Sequence, residues 1–335
     1  MTAVSAQARL ANGFGEKLRR FRGQSIRVQL RTLFLRVWPL SAFARGYYRL
    51  RYVDAIWENV LNRSARRALL SESTPLDAAT RQTVDTLRRD GIVITDLNTF
   101  LGDPTATDRA IAAGMKLLDS EQMRLQLEGK QAAVGGKSYV LRVLPPLDFS
   151  DGLTSLALNE RLLSVVANYL GMRPRLKSFE LWNNQPVDPN SKETASMQWH
   201  RDYDDHKIVK VFLYLVDVDE HMGPFTYLRE TQPGARFGHL FPSRPPEGAV
   251  PPKADVERLV PGAQLQQCTG KKGSLIICDT TGLHRGGRST TKSRILFTLT
   301  YASDAAIDPD KYTLGENARD FSRLSPAARF ALRQN

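Results

Sequence analysis

Apolar positions near the start of the chain repeat with a helical period. Ile26, Leu30, Leu33, Phe34 and Val37 fall on one helix face, and Arg20, Arg27 and Arg31 lie largely on the other. Pro39 should stop or kink that helix. A second helix is predicted over residues 47–68, and residues 71–75 read as a joint, with Ser73, Thr74 and Pro75 as a helix start signal. Beyond the joint the pattern is that of a compact domain. A helix is predicted over 77–89, closing at Asp90-Gly91, then a short strand over 92–94 and a helix over 160–170 ended by Gly171. After Arg175 the chain turns to short apolar runs (208–216, 274–278, 295–301) separated by Gly, Pro, Asn and Asp. Several short strands with turns between them predict a sandwich or barrel. The five prolines between Pro242 and Pro252 mark a long surface loop. No repeat of fixed period is visible. The expected organisation is a helical extension over 1–72 followed by one domain over 73–335.

Charge sharpens that division. The 335 residues carry a net charge of +12. Residues 1–52 hold eleven Lys and Arg against the single acid Glu16, which is +10 of the total. The basic balance therefore belongs to the extension, and the main domain is nearly neutral. Two readings of the extension stay open. Its apolar face packs on the main domain, or it attaches to an anionic membrane surface, aided by its arginines and Trp38. A mitochondrial targeting segment ranks third, and nucleic acid is not expected because no reading motif accompanies the charge. No apolar run approaches the ~20 residues of a membrane span, and no secretory signal pattern opens the chain. A cytoplasmic protein, with or without peripheral membrane contact, is expected. Cys268 and Cys278 have neither disulfide nor metal-site spacing and read as buried thiols in a reducing compartment.

The sharpest local feature is Gln198-Trp199-His200-Arg201-Asp202. In an extended segment side chains alternate, so His200 and Asp202 point the same way and can reach one cation. A third ligand candidate, His284, closes the stretch Asp279-Thr280-Thr281-Gly282-Leu283-His284 after an apolar strand. Two His and one carboxylate on one face of a metal leave three positions open, which is the facial triad of non-haem iron(II) oxygenases. Arg294 follows in the next strand, and a guanidinium there can form a bidentate pair with a carboxylate. A keto dicarboxylate chelating the metal at one end would present its other carboxylate to this arginine.

The stretch over 76–301 resembles the phytanoyl-CoA dioxygenase family of iron(II)/2-oxoglutarate enzymes. The family's opening helix and strand resemble Leu87-Arg88-Arg89-Asp90-Gly91-Ile92-Val93-Ile94, and the strand before its metal motif is similar to Leu181-Trp182-Asn183-Asn184-Gln185-Pro186. His200-Arg201-Asp202 matches the family's His-x-Asp, Gly223-Pro224-Phe225-Thr226-Tyr227 resembles its "GPL" stretch, and His284, Arg294 and Tyr301 match its closing block. The chain departs from the pattern at Gly286, where the family often has Ser or Thr contacting the co-substrate, and at residues 231–236, where Thr-Gln-Pro-Gly-Ala-Arg replaces "PGSH". Ser289 and Thr290 are stand-ins for the first of these.

The resemblance implies a mainly β protein with flanking helices, its core a double-stranded β-helix of the jelly-roll, cupin-like kind. It implies iron(II) held by His200, Asp202 and His284, with 2-oxoglutarate and oxygen as co-substrates, Arg294 as the clamp and Asn183 as a further co-substrate contact. The reaction it implies is hydroxylation of an unactivated C–H bond of a small-molecule or lipid-like substrate. Halogenating relatives lack the carboxylate that Asp202 supplies. Two other classes stay open: a cupin-type isomerase and a binding protein with a relic site. His206, His221 and His239 are rival ligands, read as surface or structural residues. Asp204 and Asp205 solvate a turn or support a ligand, Trp199, Tyr203 and Phe225 line the pocket or fill the core, and Arg288 meets an anion or lies in solvent.

Overall fold

The computed structural model describes residues 40–71, 75–132, 139–191, 193, 195–245, 247–318 and 320–334. The helix expected over 26–37, its Pro39 stop, and Ser73 and Thr74 lie outside them. The chain divides into two compact units, Met1–Val53 and Asp54–Asn335. In the first, helix α1 (Leu40–Leu50) presents Phe43, Tyr47 and Leu50 to solvent along one face.

The single helix expected over 47–68 is broken. In the second unit Asp54–Ile56 leads into a π-helical turn, Trp57–Leu61, and then α2 (Arg63–Leu70). The break serves burial. Trp57 is 1 % exposed, its indole N–H donates to Asp205 at 2.8 Å, and the Ala65 carbonyl accepts from the Arg173 amide at 3.0 Å. Residues 54–71 thus contribute to the core of the main domain, and the division falls at 53 rather than at 72.

Helix α3 (Ala78–Asp90) starts where Asp77 accepts from the Thr80 amide and ends on Gly91 at φ 77°. It is followed by α4 (Leu97–Leu101), α5 (Ala106–Leu118), α6 (Glu121–Ala132) and α7 (Gly152–Ala157). Helix α8 (Glu160–Leu170) is closed by Gly171 in the left-handed region, as its sequence predicts, and is capped at its start by Asn159. The remaining helices are α9 (Lys253–Leu259) and α10 (Pro326–Ala331).

The strands are β1 (Ile92–Asp96), β2 (Val140–Val143), β3 (Pro146–Leu147), β4 (Arg175–Asn184), β5 (Val209–Tyr214), β6 (Phe225–Leu228), β7 (Leu265–Gln267), β8 (Ser274–Asp279), β9 (His284–Gly286), β10 (Arg294–Ala302) and β11 (Thr313–Leu314). Six of them form an antiparallel sheet in the order β1-β8-β5-β10-β4-β2, and a smaller antiparallel sheet runs β7-β6-β9. This is the expected double-stranded β-helix with flanking helices.

Both faces of the large sheet are buried, and alternation decides what each face holds. Val209, Val211 and Leu213 of β5, Leu275 and Ile277 of β8, and Phe297, Leu299 and Tyr301 of β10 pack with the helices in the main core. Phe212, Tyr214, Ile276, Cys278 and Leu296 face the other way and pack against Phe225 and Tyr227 of the small sheet. A shift in pairing between Thr300 and Tyr301 places Leu176, Phe179 and Leu181 of β4 on the helix side, leaving Glu180, Trp182 and Asn184 on the inner side. Cys268 and Cys278 are free and buried, and burial pushes the Cys268 thiol up to about 12.

Trp57→Ala removes a buried indole and one of the donors to Asp205. It should cost the protein about 3–5 kcal/mol, read as a lower midpoint in urea unfolding. A loss under 1 kcal/mol would place Trp57 outside the core.

Candidate metal centre

The site is built from two separated stretches that pair through the backbone. The His200 amide donates to the His284 carbonyl and the His284 amide to the His200 carbonyl, each at 3.0 Å. The Asp202 amide donates to the Thr280 carbonyl at 2.9 Å, which extends the pairing by two residues. His200 and Asp202 therefore share one face, and the imidazoles of His200 and His284 lie with centroids 4.2 Å apart. One donor atom from each of His200, Asp202 and His284 lies within 4.8 Å of the others. Nε2 of His200 is 4.0 Å from Oδ1 of Asp202, and Nε2 of His284 is 3.9 Å from Oδ2.

The tautomers follow from the neighbours. Nδ1 of His200 is 2.8 Å from the Gln198 carbonyl and Nδ1 of His284 is 3.0 Å from that of Gly282. A carbonyl only accepts, so both Nδ1 atoms carry hydrogen and both Nε2 lone pairs face Asp202. That is the tautomer a metal needs. Burial opposes ionisation of Asp202, but Lys210, whose ammonium is 2.7 Å from Oδ2, and the two imidazoles hold its carboxyl well below the usual range. Burial, reinforced by His200, pushes His284 down to about 3, so its imidazole is neutral.

Arg201, between the two ligands, points to the opposite side. Its guanidinium is buried and donates to the carbonyls of Phe241, Thr231, Thr281 and Leu240. Burial draws its pKa down to about 10. One side chain thereby ties three loops to the back of the ligand-bearing segment. Gly282 is required there because a Cβ would collide with the Tyr227 hydroxyl, which donates to the Asp279 carbonyl at 2.9 Å.

The three donors line a cavity of about 180 Å³ between the two sheets, together with Lys210, Arg294 and Asn184. Arg294 is buried. The Asn184 side-chain oxygen, in the orientation that satisfies both groups, accepts from its Nη2 at 2.7 Å and its Nε at 3.0 Å. Its Nη1 is buried without a hydrogen-bonding partner.

Asn183 is not where the co-substrate role needs it. It lies on the helix side of β4, with Nδ2 3.9 Å from the Met123 sulfur and Oδ1 accepting from Gln185 at 2.6 Å. Alternation gives the cavity position to Asn184, one residue on. Phe225 lines the cavity, its ring 5.6 Å from that of His284. Trp199 and Tyr203 do not line it; Trp199 instead stacks under Arg285 at 4.5 Å. Arg288 donates to the carbonyls of Pro189 and Ser191, Ser289 to that of Lys292, and Thr290 to that of His221. His206 pairs with Asp54, while His221 and His239 are exposed. Asp205 supports Trp57 and the Ser303 amide rather than a ligand. Lys210 and Arg201 had no signal of their own in the sequence beyond their places in strand and motif.

No protein-family model and no curated protein sequence matches the chain. Solved structures do. The epimerase SnoN in complex with Fe3+, alpha ketoglutarate and nogalamycin RO is 20% identical over 68% of this chain and 84% of its own, with a TM-score of 0.45. EctD from S. alaskensis with 2-oxoglutarate and 5-hydroxyectoine is 17% identical over 78% and 88%, with a TM-score of 0.49. HygX from Streptomyces hygroscopicus with nickel, 2-oxoglutarate and hygromycin B is 16% identical over 71% and 94%, with a TM-score of 0.39.

The neutral His284 gives the metal-free protein a defined acid sensitivity. Its folded pKa, about 3, lies below the ordinary 6.5, so below pH 6.5 the unfolded chain takes up a proton that the folded one refuses. Stability from this group is whole above pH 6.5 and falls toward pH 3, by up to about 1.4 kcal/mol per pH unit. Urea unfolding of metal-free protein across that range should show the fall reduced in His284→Gln. An unchanged slope would refute it.

Proposed function

We propose that the protein is an iron(II)- and 2-oxoglutarate-dependent oxygenase of the phytanoyl-CoA dioxygenase kind. It hydroxylates a C–H bond of a small-molecule or lipid-like substrate. The observation that carries this reading is one cavity lined by two imidazoles, a carboxylate and a buried arginine with a spare donor. The donor set suits iron(II), and His200, Asp202 and His284 would hold it with three positions open. Bound there with 2-oxoglutarate and oxygen, iron supplies oxidative decarboxylation to succinate coupled to C–H hydroxylation. The chain's own part is placement. Asn184 fixes the Arg294 guanidinium so that Nη1 meets the far carboxylate of the co-substrate. The Gln198 and Gly282 carbonyls hold the two imidazoles in the metal-binding tautomer. Phe212, Phe225 and Leu296 exclude water from the middle of the cavity. A cupin-type isomerase would have no use for the buried arginine, and release of succinate separates the two.

The first unit favours a second property, contact with an anionic membrane surface. Phe43, Tyr47 and Leu50 are 79%, 50% and 53% exposed on one face of α1, within a segment that carries +10. Among the described residues no helix is long and apolar enough to cross a membrane, so this contact would be peripheral.

His200→Ala, Asp202→Ala and His284→Ala should each abolish succinate formation from 2-oxoglutarate while circular dichroism stays unchanged. Full activity in His284→Ala overturns the ligand set. Arg294→Leu should still bind iron but weaken 2-oxoglutarate by about 2–5 kcal/mol. The anaerobic charge-transfer band of iron with 2-oxoglutarate measures this, and a wild-type titration would assign the clamp elsewhere.

The full chain should co-sediment with phosphatidylserine vesicles and leave them as salt rises. Replacing Phe43 and Leu50 by Ser should weaken that binding. Failure to bind anionic vesicles at low salt removes the membrane reading.

A further inference from the structure

Lys210 is a charged residue near the start of an otherwise apolar strand, β5, between Val209 and Val211. Its neighbours turn toward the helices, and Lys210 turns into the cavity. Its ammonium sits 2.7 Å from Oδ2 of Asp202. A lysine here is costly to desolvate, and an apolar residue would pack the strand as well. The position therefore calls for a functional explanation.

The two oxygens of Asp202 have different surroundings. Each faces one imidazole, Oδ1 that of His200 at 4.0 Å and Oδ2 that of His284 at 3.9 Å, but the Lys210 ammonium lies 2.7 Å from Oδ2. We infer that Lys210 is a positioning residue of the metal site, occupying one oxygen of Asp202 so that the carboxylate binds a metal through the other alone. The inference rests on the iron/2-oxoglutarate reading and says how this site keeps room for its co-substrate. A carboxylate free to chelate through both oxygens would take a position that a bidentate keto acid needs. The ammonium also cancels the carboxylate's charge, so the metal retains more attraction for a dianion. The two effects oppose each other on the metal and agree on the co-substrate. Removing Lys210 relieves repulsion on a dication and frees a second donor oxygen, which strengthens metal binding. The same change removes an open position and a positive charge, which weakens 2-oxoglutarate binding.

The test compares unaltered protein, Lys210→Met and Lys210→Arg. Iron(II) affinity is read by anaerobic competition with a chromophoric chelator, and 2-oxoglutarate affinity by the charge-transfer band at saturating iron. In Lys210→Met, iron should bind at least as tightly as in the unaltered protein. 2-Oxoglutarate should bind on the order of tenfold more weakly, the scale of outer-sphere changes at metal sites. Lys210→Arg should restore most of the co-substrate affinity. General damage would weaken both ligands together, and that result overturns the proposal, as does a Lys210→Met protein indistinguishable from the unaltered one. If the unaltered protein binds no iron(II), the reading of the site itself falls and the role of Lys210 falls with it. Iron binding with both affinities unmoved by Lys210→Met sinks only the latter.

Discussion

The paired backbone hydrogen bonds between His200 and His284 are the constraint from which the rest of the site follows. In an antiparallel hydrogen-bonded pair the two side chains lie on the same face, close enough to share a ligand. That single pairing brings together two imidazoles far apart in the chain. The Asp202–Thr280 bond prolongs it and so fixes the carboxylate on the same side. The alternation that turns His200 and Asp202 inward turns Arg201 outward, onto four carbonyls of the surrounding loops. A slip of one residue would bury Asp202 among those carbonyls and expose a guanidinium to the metal position. The pairing register is therefore held from both faces at once.

Several polar residues inside the sandwich are tolerated because each has a partner. Asp202 is paired with Lys210, Arg294 with Asn184, and Glu180 accepts from the Trp182 indole at 2.8 Å. An unanswered buried charge costs several kcal/mol. The spare donor of Arg294 is thus expensive in the empty protein and useful only to a ligand. Stability alone would favour a smaller or apolar residue in its place.

The sequence reveals those parts of the site whose geometry is local. His-x-Asp in an extended segment states its own facing, and Gly91 and Gly171 mark helix ends through backbone chemistry alone. What it hides depends on partners. The large sheet is buried on both faces, so its strands read as unbroken apolar runs in which inside and outside are indistinguishable. Asn183 and Asn184 are equivalent in sequence, and only the register of β4 against β10, with its shift at Thr300, separates them. Lys210 in a run of valines looks like a strand impurity until Asp202 lies beside it. Trp57 gives no sign that the main domain reaches back past residue 72, because its partner Asp205 is distant in the chain.

Register also sets the two cations of the cavity apart. On β5 and β10 the pairs Tyr214–Leu296 and Lys210–Thr300 set Arg294 beyond one end of β5 and Lys210 at the other. Both cations face inward, and between them the inner face offers Phe212 and Leu296. Long side chains, with a metal carried by the neighbouring ligands, shorten the gap between the charged ends. The result is a short apolar stretch between the ion pair of Lys210 with Asp202 and the spare donor of Arg294. The dicarboxylate proposed as co-substrate would meet that order of contacts, its far carboxylate answering Nη1 of Arg294. Strand alternation in this way turns both cations into the cavity, one paired with Asp202 and the other left with an unanswered donor.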